Sequence, residues 1–143
     1  TKVNNAISQE LYVKGNKHYI SQEGWIFNDT IRNNILFYNP YEEKKYLNII
    51  KICELNEDLD KLPGKDLTEI GDKGLNLSGG QKSRICLARA LYSDSDIYLF
   101  DDPFSNLDMT VGMKIFKSLI ENKRNNQTLS LLRNIPITTP LLC

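Results

Sequence analysis

Three groups of residues have types and spacings suited to chemistry. The first is Ser78-Gly79-Gly80-Gln81, inside the stretch L-N-L-S-G-G-Q-K-S-R-I-C-L-A-R-A-L-Y from Leu75 to Tyr92. A serine and two glycines ahead of a run of helix formers bring bare backbone N–H groups, a hydroxyl and the positive end of a helix to one point, which suits a terminal phosphate. Ser78 and Gln81 also fit a capping box, the serine capping the helix and the glutamine reaching back to it. That accounts for the outer pair and leaves the glycines, each of which costs a helix roughly 1 kcal/mol relative to alanine. Close approach of another group is the physical reason to keep them.

The second group is Phe100-Asp101-Asp102-Pro103. One carboxylate there can hold Mg²⁺, directly or through water, while its neighbour orients or deprotonates an attacking water. The same residues also make an ordinary solvated turn. The third is Gln22, an amide at the end of a β-rich run, within reach of a metal-bound water. His18, the single histidine, precedes it and reads as a packing or surface residue.

Elements must hold these groups in place. Leu11-Tyr12-Val13 and His18-Tyr19-Ile20 read as short strands around the turn-like Lys14-Gly15-Asn16-Lys17. Asp29 or Thr30 can cap a short helix within the stretch Thr30 to Phe37. Pro40 then opens a clearer helix, with Glu42 and Glu43 in its first turn and Tyr46, Ile49, Ile50 and Cys53 on one face. Residues 55–77 read mostly as loop with short helical pieces, and a helix follows from Gln81 to about Tyr92. Ser93-Asp94-Ser95-Asp96 is a turn. Ile97-Tyr98-Leu99-Phe100 is apolar without alternation, the pattern of a strand buried on both faces of a parallel sheet, and it places Asp101 and Asp102 at the carboxyl edge where α/β sheets bind ligands. A last helix, Met109 to Asn122, turns Val111, Ile115, Leu119 and Ile120 inward. Helix, parallel strand and helix together give an α/β class.

Composition bounds the possibilities. The 143 residues suffice for one domain with a core. Eighteen basic residues balance eighteen acidic ones, so the chain carries no electrostatic footprint for nucleic acid, and no nucleic-acid partner is expected. Three cysteines without C-x-x-C spacing fit free thiols in a reducing compartment. No apolar run approaches the length of a bilayer span, and Thr1-Lys2-Val3-Asn4-Asn5 is no signal peptide.

Taken in order, Y-I-S-Q, W-I-F-N-D-T-I-R-N-N-I-L-F, T-E-I-G-D-K-G-L-N-L-S-G-G-Q-K-S-R and D-I-Y-L-F-D-D-P-F-S-N-L-D resemble the nucleotide-binding domain of ABC transporters. The wording is most like the first such domain of the C subfamily, the multidrug-resistance-associated proteins. The likeness runs from about Leu11 to Leu119. It implies a partial P-loop NTPase-like ABC ATPase domain with a helical subdomain: residues 1–22 and 93–143 belong to the α/β core, and residues 23–92 to the Q-loop, helical subdomain and signature helix. The cofactors implied are ATP and Mg²⁺. Gln22 matches the Q-loop glutamine, near Mg²⁺ and the membrane contact. Ser78, Gly79, Gly80 and Gln81 match the signature that touches the γ-phosphate of ATP held by a second nucleotide-binding domain. Asp101 matches the Walker B aspartate that supports Mg²⁺, and Asp102 the position of the catalytic glutamate. Ser105, Asn106, Leu107 and Asp108 match the D-loop at the dimer interface, and residues 68–74 an exporter-type loop that meets the transmembrane domains. The implied setting is an integral membrane transporter, with this segment on its cytoplasmic side.

Departures from the pattern shape the expected activity. A P-loop needs G-x-x-x-x-G-K-[S/T], and Gly64-Lys65 fails it, with Leu59 at the first glycine and Asp66 at the hydroxyl. The expectation is a chain that begins inside the domain and is inactive alone. Aspartate at 102 is a methylene shorter than glutamate, so hydrolysis at its own site is expected to be slow. Asn134 falls nearest the place of the family's switch histidine. With the P-loop strand missing, one edge of Ile97–Phe100 is expected to stand unpaired and the segment to be poorly stable. Two functions fit: part of the ATP-binding and hydrolysing domain of an exporter, or a degenerate, non-catalytic module with a docking or regulatory role.

Overall fold

A strand buried on both faces needs hydrogen-bonded neighbours on both edges, and Ile97–Phe100 has them. The computed structural model describes residues 15–72, 75–123 and 128–131. In chain order these form β1 (Lys17–Ile20), β2 (Asp29–Thr30), α1 (Ile31–Leu36), α2 (Glu43–Ile52), α3 (Asn56–Asp60), a 3-10 turn at Lys65–Leu67, β3 (Glu69–Ile70), α4 (Gly79–Tyr92), β4 (Ile97–Phe100), α5 (Met109–Lys123) and β5 (Thr128–Leu131). β1, β4 and β5 make a parallel sheet in that order, with Tyr19 opposite Leu99 and Leu99 opposite Ser130. The unpaired edge expected for β4 is therefore not found. A crossover through α5 supplies enough chain to return β5 alongside it in parallel.

The two faces of this sheet differ. Tyr98 and Phe100 join Ile20 and the α4 residues Ile85, Leu87, Ala88 and Leu91 in one core. On the opposite face Leu99 is half-buried and Tyr19 is 59% exposed. α4 is the hub, with α1, α2 and β1 packed on it. Its last residue, Tyr92, accepts a hydrogen bond from the Glu42 N–H at 2.8 Å and donates to the Pro40 carbonyl at 2.7 Å. That clasp sets where α2 begins, so Glu42 serves as the N-cap and not as a first-turn residue.

Thr30 caps α1 through its hydroxyl, which accepts from the Asn33 N–H. Residues 55–77 hold α3, the 3-10 turn and β3, which pairs antiparallel with β2. Tyr46, Ile49, Ile50 and Cys53 are buried as their spacing predicts. In α5, Ile115 and Leu119 are buried and Val111 is half-buried, but Ile120 is 38% exposed, contrary to expectation. One residue past Leu119 is about 100° around the helix, which carries Ile120 off the inward face. Cys53 and Cys86 are free thiols. Cys143, the run 11–13, Asn134, and Lys73 with Gly74 lie outside the described residues.

Candidate functional site

The capping box forms around the signature-like residues. Ser78 Oγ accepts the Gln81 N–H at 3.2 Å, and Gln81 Oε1 accepts the Ser78 N–H at 3.0 Å. The remaining end of the Gln81 amide donates to Asp58 at 2.9 Å, and Asp58 in turn pairs with Arg84 at 2.7 Å. Gln81 is thus committed to its own chain, and Asp58 and Arg84, neither singled out by sequence, hold it there. The two glycines have different neighbours. A Cβ on Gly80 would stand 3.1 Å from the Asn106 carbonyl oxygen and 3.5 Å from Leu107, while one on Gly79 would meet nothing nearer than Asn106 Cβ at 3.9 Å. Close packing inside the chain therefore disfavours a side chain at 80 and leaves the glycine at 79 unexplained.

Asp101 and Asp102 sit where β4 ends. The Asp101 N–H donates to the Ile20 carbonyl at 2.9 Å, and its carboxylate accepts from the Tyr19 hydroxyl at 2.6 Å. Asp102 takes a left-handed backbone with φ of 49°, which aspartate tolerates better than most side chains. That sharp bend turns the chain into the Ser105-Asn106-Leu107-Asp108 segment, where the Ser105 N–H and hydroxyl both donate to the Asp102 carbonyl. Asn106 reaches across 84 positions to donate to the Gln22 carbonyl at 3.3 Å. The structure thus brings the backbone of Gln22, the 105–108 turn and Gly80 together. The Gln22 side chain is exposed and makes no hydrogen bond among the described residues, so its amide is not joined to Asp101 here.

A second region lies where Asn28 meets residues 71 and 72. Asn28 Oδ1 accepts the Asp72 N–H at 2.8 Å, and Gly71 adopts φ of 103° beside it. A Cβ on Gly71 would overlap Asn28 Oδ1 outright. These residues line a groove of about 500 Å³ together with Trp25, Asn76 and Lys82. Behind it lies Arg89, buried with its guanidinium 4.4 Å from the Trp25 ring centre and donating to the Asn34 and Trp25 carbonyls at 2.7 and 3.1 Å. Neither Asn28 nor Arg89 was among the sequence candidates. Gly71 beside a polar residue was the available signal for the first.

Among the described residues no cluster of three or more His, Cys, Asp or Glu could hold a metal by itself. Magnesium does not require one, since it keeps several waters and takes one or two carboxylates together with phosphates. Asp101 offers one carboxylate oxygen, Oδ1, that takes no hydrogen bond from the described residues, so the donor set fits the protein's share of a magnesium–nucleotide site. The ABC transporter family model matches residues 2–105. The chain belongs to the ABC transporter family. Among curated ABC proteins it is similar to ABC transporter C family member 3 of Dictyostelium discoideum, 46% identical over 85% of the chain and 9% of that protein. It is likewise similar to ATP-binding cassette sub-family C member 2 of Mus musculus, 54% identical over 77% of the chain and 7% of that protein. ABC transporter C family member 7 of Arabidopsis thaliana is 48% identical over 85% of the chain and 8% of its own length. The chain therefore spans less than a tenth of these ABC relatives, within an ATP-binding domain. No helix among the described residues is long and apolar enough to cross a membrane.

Proposed function

We propose that these residues form part of the ATP-binding and hydrolysing domain of an ABC exporter, coupling nucleotide binding to transport across the membrane. The observation that carries this reading is the contrast at the start of α4: Gly80 has a reason inside the chain and Gly79 has none. A glycine that leaves backbone N–H groups bare at a helix start, with no neighbour to accommodate, is suited to an anion from outside. In this reading that anion is the γ-phosphate of ATP held by a second nucleotide-binding domain, and Ser78 contributes its hydroxyl. Asp101 would hold Mg²⁺, the Gln22 amide would approach it once nucleotide is bound, and Asp102 would orient the attacking water. Bound Mg²⁺ supplies charge neutralisation at the phosphates. Residues 105–108 sit at the domain interface, and Asn106 links that turn to the Q-loop backbone. In this reading Gly71 and Asp72, on the exporter-type loop, meet the transmembrane domains, and the segment lies on the cytoplasmic side of a membrane protein.

The test is made on the full-length protein. Gly79→Val is expected to abolish ATP-driven association of the two nucleotide-binding domains, read by cross-linking, while leaving the melting temperature within a degree or two. Wild-type association in that variant overturns the reading. Asp102→Glu is expected to raise ATP turnover severalfold, because the longer carboxylate reaches the water better. Unchanged turnover would remove Asp102 from the catalytic position and favour a non-catalytic docking module.

A further inference from the structure

The Asp101 carboxylate meets one side chain from another strand, and register explains why it is Tyr19. Tyr19 stands opposite Leu99 in the parallel pairing, and residues two apart on a strand share a face. Tyr19, Leu99 and Asp101 therefore project from the same side of the sheet, and a phenol is long enough to span the diagonal between neighbouring strands. The hydroxyl donates to Oδ2 at 2.6 Å, a length typical of hydrogen bonds to an ionised acceptor, about 2.5–2.7 Å. Oδ1 is left without a partner among the described residues.

A carboxylate on the residue after a strand has two side-chain torsions to settle, and no other side chain among the described residues restrains them. We propose that Tyr19 is a positioning residue for Asp101, holding Oδ2 so that Oδ1 is presented to the magnesium ion of the bound nucleotide. The inference rests on the reading of Asp101 as the residue that supports magnesium. Tyr19 touches neither metal nor nucleotide in this arrangement and acts through Asp101 alone. Its ring is largely exposed, so phenylalanine keeps the packing and removes only the hydrogen bond.

Losing an outer partner of a metal ligand weakens metal binding by about ten- to hundredfold, and the exposure of Tyr19 points to the lower figure. The experiment uses the full-length protein with a non-hydrolysable ATP analogue and Mn²⁺ as an electron paramagnetic resonance probe. Asp101→Asn is expected to remove one class of bound Mn²⁺. Tyr19→Phe is expected to weaken that same class about tenfold, with metal-free nucleotide affinity and melting temperature unchanged. If Asp101→Asn removes no Mn²⁺, the magnesium reading fails and the role of Tyr19 falls with it. If Asp101→Asn removes the ion while Tyr19→Phe holds it at wild-type or higher affinity, the positioning role alone is overturned.

Discussion

Arg89 is a buried cation that no acidic side chain pairs with among the described residues. Its charge is accommodated by carbonyl oxygens and by the faces of Trp25, Phe27 and Phe37, with 4.4 to 5.7 Å from guanidinium to ring centre. Lysine keeps the charge and loses the planar fork, stranding the Asn34 carbonyl and leaving the Asn34 amide oxygen with the Phe27 N–H alone. Arg89→Lys is expected to destabilise the fold by about 1–3 kcal/mol in urea unfolding, the range for unsatisfied buried groups. An effect below about 0.5 kcal/mol, typical of an inconsequential surface change, would show that the cluster contributes little. The same residue acts on His18, whose pKa is lowered by burial first and by the Arg89 charge second. Below the ordinary value of 6.5 the unfolded chain binds a proton that the folded chain resists, so stability falls as pH drops through that interval. His18→Gln is expected to flatten the difference between urea midpoints at pH 7.5 and 5.5. The capping box and the aspartate pair were legible from residue type and spacing. Arg89 was not, because its partners lie 55 and 64 positions away and an arginine on a helix ordinarily faces water.

Elements were easier to read than the links between them. The apolar spacing in α2 and the unbroken run of β4 carried their own signals, since burial on one helix face or both sheet faces shows in periodicity. The β2–β3 pair did not, being two residues long on each side. What fixes that pair to the next loop is Asn28, whose amide oxygen accepts from Asp72 while Gly71 leaves room for it. Gly71→Ala therefore faces two penalties, a left-handed φ and a direct clash, and is expected to cost on the order of 2–3 kcal/mol. Asn28→Ala removes the obstacle and the bond together, so the double variant is expected to be less destabilised than the sum of the singles, measured by a double-mutant cycle. Strict additivity would mean that the two residues do not act through each other. The start of α4 separates in a similar way. Gly80→Ala presses on the Asn106 carbonyl and is expected to lower stability, whereas Gly79→Ala meets only ordinary contact and is expected to leave it unchanged or slightly raised.

At the scale of the whole molecule, the pairing of β4's second edge is what sequence misjudged, and the reason is topological. An apolar run announces that a strand is buried but does not name its neighbours, which come from segments 80 positions earlier and about 30 later. With β1 on one side and β5 on the other, β4 has its backbone groups paired along both edges, and its aromatic pair Tyr98 and Phe100 is sealed against α4. β5 thereby takes on a burden beyond its four residues: without it, one edge of the most apolar strand offers unpaired N–H and C=O groups to other chains. Ending the chain after Lys123 removes β5 while leaving every other described element in place. The shortened protein is expected to melt at lower temperature than the 143-residue chain and to aggregate in a concentration-dependent way, followed by light scattering during a thermal ramp. Equal melting temperatures and equal scattering would mean that the β4–β5 pairing adds nothing to the fold.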